Sequence, residues 1–240
     1  ISKIAEILGE KEDAMAYATL AKEIKAAFRA KFFNKENMKV EGDCQTATAC
    51  MLYQGLAEED EKQGLLKLLL KQIEEKDWHL DFGILGSKYV MHTLGATGHG
   101  DVGFRMISQR TYPSFQRWID LGATTLWECW NGGGSHNQPM FSDVSAFMYK
   151  FVGGISPDEQ NPGFRHILIR PAIECGLTYV ECSHESMYGK IECNWVHTHE
   201  GITLDIQVPV GTDATLFLPK SYKDRIKDSI IHADIMGSDH

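Results

Sequence analysis

The spacing of apolar residues changes character once in this 240-residue chain, at Gly153-Gly154, and that change limits what the chain can fold into. Before it, apolar side chains recur at steps of three and four, the repeat of a helix face; after it they alternate, the repeat of a half-buried strand. From Glu12 to Phe33, the residues Ala14, Tyr17, Ala21, Ile24 and Phe28 mark one face of a long amphipathic helix, which Asn34 and Asn37 end. Asp43 fits the N-cap of a helix that passes through Ala47, Cys50 and Met51 to a terminal glycine, Gly55. Glu59 to about Glu75 reads as the next helix. Its Leu65, Leu66, Leu68, Leu69 and Ile73 cover more than one stripe, which predicts burial on both sides. Phe82 to Gly86 is expected to turn into a helix through Tyr89, Val90 and His92, and Asp101 to Gln109 to form a shorter one. Phe141 to Val152 is the last, with Phe141, Val144, Met148 and Phe151 on one face. No self-similar period of about 30 to 45 residues is visible, which disfavours a helical repeat array.

Beyond the switch, Pro157, Pro162 and Pro171 punctuate the chain, and from Phe164 the alternation has period two. Ile191, Cys193, Trp195 and His197 share a face; so do Ile202, Leu204, Ile206 and Val208, and again Ala214, Leu216 and Leu218. Turns at Tyr188-Gly189, Glu200-Gly201 and Gly211-Thr212-Asp213 predict an antiparallel sheet region, read as a small sandwich. The expected organisation is therefore helical over 1–154 and β over 155–240, with a weakly patterned, poorly ordered stretch from Ser221.

The formal charge of −9, without a basic run, argues against nucleic-acid or anionic-membrane partners and in favour of a neutral ligand. Apolar runs such as Leu68-Leu69-Leu70 are far too short to cross a bilayer. Six cysteines show no Cys-x-x-Cys; Cys182 and Cys193 would face each other across a hairpin centred on Met187-Tyr188, either as a disulfide or as buried thiols. His197 and His199 share one side of a strand, but no third ligand accompanies them, so no metal is expected. Gly132-Gly133-Gly134 lacks the Gly-Lys-Ser/Thr ending of a phosphate loop, no Gly-x-Ser-x-Gly is present, and no cofactor is expected. The chain opens on Ile1 and reads as entering in the middle of a longer protein, which leaves targeting and compartment open.

Glu128 stands out chemically. It lies between Trp127 and Trp130 and is followed by Asn131-Gly132-Gly133-Gly134. A carboxylate walled by indoles is partly desolvated, so its proton affinity can be tuned, and flat ring faces suit the apolar faces of a sugar. The alternative is two core tryptophans and a solvated loop acid. Glycoside hydrolysis needs two carboxyl groups, one to protonate the leaving oxygen and one to activate water or attack carbon. Asp43, a capping residue, Asp81, which suits either a sugar contact or a turn, and Asp120, expected to end a helix or strand, are the other acids considered.

Five stretches, in order, resemble the C-terminal part of the α-L-rhamnosidases of glycoside hydrolase family 78. They are Gly42-Asp43-Cys44-Gln45-Thr46-Ala47, Phe82-Gly83-Ile84-Leu85-Gly86-Ser87-Lys88-Tyr89, Thr111-Tyr112-Pro113-Ser114-Phe115, Gly122 through Trp130, and Asn161-Pro162-Gly163-Phe164. The resemblance implies part of an (α/α)6 toroid followed by a β-sandwich, and inverting hydrolysis of terminal α-L-rhamnosides in a rhamnose-containing glycan or glycoside. It implies Glu128 as general base and Trp78, His79, Asp81 and Trp130 as candidates to line the sugar pocket. The segment Ser135 to Phe141 also resembles the family, with Asn137 and Gln138 as candidate sugar ligands; Gln138 stands where histidine is usual, and its amide can still bond a hydroxyl. The family's general acid belongs to an earlier segment of the toroid, so this chain is expected to lack the acid and the N-terminal part of its catalytic domain. A glycosidase of other sugar preference, and a non-catalytic glycan-binding protein, are the rival readings.

Overall fold

The computed structural model describes residues 1–219, 221–222 and 236–238. The chain divides into two compact units, Ile1–Gln72 and Ile73–His240.

The first unit contains helices α1 (Ser2–Leu8) and α2 (Lys11–Phe32), a two-stranded ribbon of β1 (Phe33–Asn34) and β2 (Lys39–Val40), helix α3 (Gln45–Tyr53) and most of α4 (Glu59–Glu75). The Asn34 side chain accepts the backbone N–H groups of Glu36 and Asn37, which turns the chain out of α2 into the ribbon. Val40, Met51, Ala57 and Leu65 form a small core against which Phe28 and Phe33 pack. The rest of the expected α2 face is largely open, Tyr17 and Ile24 being exposed. Asp43 does not cap α3. It adopts a left-handed conformation, φ 37°, and accepts from Lys39 Nζ at 2.6 Å and Gln72 Nε2 at 3.2 Å, while Cys44 holds the N-cap position. Gly55, φ 66°, closes α3 as expected. Along α4, Leu65, Leu66, Leu69 and Ile73 are buried, more than one stripe, as their spacing predicts.

A buried ion pair joins α2 to α4. Both oxygens of Glu61, which is 0% exposed, accept from the Arg29 guanidinium, at 2.6 and 2.8 Å, and the Glu58 N–H adds a third bond at 2.8 Å. Above all the Arg29 contact holds the Glu61 carboxyl down at about 2.

In the second unit, α5 (Ile84–Ala96), α6 (Gly100–Ile107) and α7 (Phe115–Asp120) precede a 3₁₀ turn (Pro139–Phe141) and α8 (Asp143–Phe147), which runs into a π-helical turn at Met148–Val152. Asp120 ends α7, as expected of it. Two glycines admit aromatic rings: a Cβ on Gly95 would lie 2.1 Å from the Phe151 ring, and one on Gly103 would lie 2.6 Å from that of Phe147. The π turn shifts the helix phase, so the expected stripe is broken: Phe141, Phe147 and Val152 are buried while Met148 is exposed.

The strands then begin: β3 (Ile155–Pro157), β4 (His166–Ile169), β5 (Tyr179–Ser186), β6 (Gly189–Thr198), β7 (Gly201–Gln207), β8 (Asp213–Pro219) and β9 (Met236–Ser238). β5, β6 and β7 form an antiparallel meander, with Cys182 opposite Cys193 as the hairpin predicts. Both are buried free thiols, and burial drives the Cys193 pKa up to about 12. The other sheet, ordered β3-β4-β8-β9, departs from the antiparallel expectation. β4 pairs with β8, and β8 with β9, in parallel. A parallel pair needs a long crossover, and the meander between β4 and β8 provides it. Ile155, Ile167, Ile169, Ile191, Cys193, Trp195, Leu216 and Leu218 from both sheets share one core. Ile191, Cys193 and Trp195 take their predicted inward face, whereas His197 is exposed. Trp195 Nε1 donates to the Val152 carbonyl at 3.3 Å, and a Cβ on Gly153 would meet Cys182 Sγ at 2.4 Å, so the sheets seat directly on the end of the last helix. The expectation of poor order from Ser221 falls mainly on residues outside the described ones.

Candidate active site

Helix α7 sets up the site. The Ser114 hydroxyl accepts the Arg117 N–H at 3.0 Å and starts the helix; Gly122, φ 90°, and the Ala123 N–H to Trp118 O bond close it. The next sixteen residues, 123–138, have no helix or strand, so the backbone needs other anchors. Trp118 supplies one. It is 2% exposed, and its indole N–H is shared between the carbonyls of Cys129 at 3.1 Å and Trp130 at 3.2 Å. The Trp118 ring stacks on Trp130 with centroids 4.5 Å apart, and Phe115 and Phe141 close the cluster. The sequence reading missed Trp118, since nothing in its local spacing ties it to residues eleven and twelve positions away.

Glu128 sits where this loop folds back on itself. Its N–H donates to Ser135 O at 2.9 Å, and the Ser135 N–H donates to its Oε2, also at 2.9 Å. Gln138 N–H to Leu126 O, 2.9 Å, pairs the two arms one step further out. Gly134 lies against the carboxylate: a Cβ there would be 2.7 Å from Oε2. Among the described residues Oε1 makes no hydrogen bond. The carboxylate is thus anchored by one oxygen and has the other available.

The flanking indoles are engaged in packing. Trp127 is 7% exposed, and its ring lies 4.0 Å from that of His136 at an interplanar angle of 8°. Trp130 turns into the Trp118 cluster and donates its Nε1–H to Phe82 O at 2.7 Å. That bond ties the Glu128 loop to the segment carrying Trp78, His79 and Asp81. There Asp77 and Trp78 are left-handed, φ 54° and 64°, which turns the chain sharply after α4. The Arg105 guanidinium covers the Trp78 ring at 3.7 Å. His79 Nδ1 faces the carbonyls of Lys76 and Asp77, which only accept, so this nitrogen carries a proton; in the neutral ring Nε2 accepts the Thr111 hydroxyl at 2.7 Å. Asp81 pairs with Lys76 at 3.1 Å. Trp78, His79, Asp81 and Trp130 are thereby linked through Phe82, and Asn137 and Gln138 lie on the arm opposite Glu128. Asn137 N–H donates to Ser135 Oγ at 3.3 Å. Among the described residues the Glu128 side chain takes its hydrogen bond from the Ser135 N–H and not from the Trp78–Asp81 group.

Elsewhere, His197 Nε2 meets the Ile173 carbonyl at 2.6 Å and His199 lies 3.7 Å from Glu200. Among the described residues no group of three or more His, Cys, Asp or Glu is placed to hold a metal, and no helix is long and apolar enough to cross a membrane.

Residues 1–152 match the family model of the bacterial alpha-L-rhamnosidase 6 hairpin glycosidase domain, and 154–232 that of the bacterial alpha-L-rhamnosidase C-terminal domain. The chain is 32% identical over 237 residues to an alpha-L-rhamnosidase of Streptomyces avermitilis, and 30% identical over 237 residues to one of Formosa agariphila. Each alignment covers 94% of this chain but only 22% and 25% of those proteins, so the chain spans about a quarter of their length. The crystal structure of the S. avermitilis enzyme complexed with L-rhamnose superposes with a TM-score of 0.85 over 97% of this chain and 24% of that one. The alpha-L-rhamnosidase from Dictyoglumus thermophilum gives 0.84 at 36% identity, over 92% of this chain and 26% of that one.

Proposed function

The chain belongs to the bacterial α-L-rhamnosidase family, and from that membership we propose that it carries the general-base side of an inverting α-L-rhamnosidase site, with Glu128 as the base. The observation that carries this reading is the anchoring of Glu128. Oε2 is fixed by the Ser135 N–H, while Oε1 is left to accept a proton from water. In the proposed reaction Oε1 takes one proton from a water as the water oxygen bonds to the anomeric carbon. The glycosidic bond breaks on the opposite face, and the departing oxygen receives a proton from an acid about 6.5–9.5 Å from the base. The products are rhamnose inverted at its anomeric carbon and the free alcohol. The relatives are some four times longer, and the proposed acid lies in catalytic-domain sequence N-terminal to these 240 residues.

In this reading the helices form part of an (α/α)6 toroid over residues 1–154, and the two sheets sharing one core form a sandwich over 155–240. Trp78, His79, Asp81, Trp130, Asn137 and Gln138 line the sugar pocket. Their support is the tie from Phe82 to Trp130 and the placing of Gln138 on the arm facing Glu128. Rhamnose is the proposed sugar because the relatives are α-L-rhamnosidases, one of them solved with L-rhamnose. The test is hydrolysis of p-nitrophenyl α-L-rhamnoside by the full-length protein and its Glu128→Gln variant. A loss of several orders of magnitude in kcat is expected; a folded variant with undiminished turnover removes Glu128 from the mechanism.

A further inference from the structure

His136 is a loop residue that the proposed chemistry does not use, yet its side chain is tied to both arms of the loop. Its ring stacks on Trp127 at 4.0 Å and 8°. Its Nε2 lies 2.9 Å from the Gly132 carbonyl, which only accepts, so Nε2 carries the proton and donates. Its own carbonyl accepts the Thr125 hydroxyl. One side chain therefore bridges the residue before Glu128, Trp127, to the glycine that starts the return arm. Trp127 is itself held in the core, and Gly132 lies so close to it that a Cβ would sit 3.1 Å from the indole.

The need for such a bridge follows from the loop's composition. Gly132, Gly133 and Gly134 have the widest conformational freedom of any residues, and ordering them costs more than ordering other residues. The bonds on Glu128 hold only while the two arms stay in register, since Ser135 supplies both the backbone acceptor and the N–H that fixes Oε2. We propose that His136 is a positioning residue for the general base: by clamping Gly132 onto Trp127 it keeps the glycine loop closed and the Glu128 carboxylate aimed. The His136 side chain engages Trp127 and the Gly132 carbonyl, neither of which is assigned to the sugar or is the carboxylate, so its effect belongs chiefly in kcat. The inference rests on the reading of Glu128 as base.

The experiment compares the full-length protein with His136→Ala, His136→Gln, His136→Phe and Glu128→Gln on p-nitrophenyl α-L-rhamnoside, with thermal melts alongside. His136→Ala is expected to lower kcat about 10- to 100-fold with KM within about two-fold, because displacements of about an ångström at a reacting group cost that much. His136→Gln, which keeps a donor, and His136→Phe, which keeps the stack, should each recover part of the loss; they also stand in if His136→Ala fails to fold. If Glu128→Gln abolishes turnover while all folded His136 variants keep full kcat, the clamp is refuted and the base assignment survives. A raised KM at unchanged kcat also refutes it, making His136 a substrate contact. If Glu128→Gln stays fully active, both readings fall together.

Discussion

Replacing Gly134 by alanine tests the Glu128 geometry with a single methyl group. The residue has φ 74°, and its Cβ would sit 2.7 Å from Oε2, 3.1 Å from Cδ and 3.2 Å from Cβ of Glu128. A carbon and an oxygen in contact settle at roughly 3.3 Å or more, so the carboxylate must retreat by about 0.6 Å or the loop must open. Either movement lengthens the 2.9 Å bond from the Ser135 N–H that fixes Oε2. The backbone adds its own cost, about 1–2 kcal/mol for a non-glycine residue in the left-handed region. Gly211 separates the two effects: its φ is 83°, and nothing lies within 4 Å of its Cβ position. Both variants are therefore expected to lose about 1–2 kcal/mol of stability in denaturant melts. Only Gly134→Ala should lose about 10- to 100-fold in kcat on the aryl rhamnoside. A Gly134→Ala protein with kcat within two-fold of the parent would falsify the claim that this carboxylate is held in place by the loop behind it.

Replacing the Glu61 charge with Glu61→Gln should destabilise the fold by about 1–3 kcal/mol at neutral pH, because the buried carboxylate's charge is lost while the partly exposed guanidinium keeps the Leu56 carbonyl at 3.0 Å and Glu58 at 3.9 Å. The pH dependence has a definite sign. The folded-state pKa of about 2 lies below the ordinary 4.5, so the carboxylate's contribution is complete above about 4.5 and is lost as pH falls toward 2. Melts at pH 7 and pH 3 should show the gap between parent and variant narrowing in acid, and a gap that widens would contradict the assignment. For the thiols, burial raises the pKa of Cys182 and takes that of Cys193 to about 12, whereas Cys129 is exposed. Alkylation of the native protein at pH 8 should mark Cys129 first, and reach Cys182 and Cys193 only on unfolding. Native-state labelling of Cys193 at the rate of Cys129 would be inconsistent with the buried pair.

Legibility in the sequence tracks how local each feature is. The apolar spacing from Glu59 to about Glu75 matches α4, and the chain leaves helix for strand immediately past Gly153-Gly154. The Met187-Tyr188 turn sufficed to put Cys182 opposite Cys193, since a two-residue hairpin leaves little freedom of register. Asp43 departs from the expected cap because an aspartate ahead of a helix resembles a cap in sequence wherever its side chain points, and here Lys39 and Gln72 claim it. The stripe expected from Phe141 to Phe151 assumed an unbroken α-helix, and the π turn invalidated it.

What the sequence by itself determined is the order of helix and strand and the hairpin register, and it brings Glu128 forward as the proposed base. Each follows from residues within a few positions of one another, where periodicity and turn chemistry act directly. The tertiary structure alone decided that β4 runs parallel to β8, that Arg29 meets Glu61, that Trp118 holds the carbonyls of Cys129 and Trp130, and that His136 lies on Trp127. Those contacts join residues from nine to nearly fifty positions apart, and their partners are selected by competition for the same buried volume and the same backbone donors and acceptors, which local spacing does not encode.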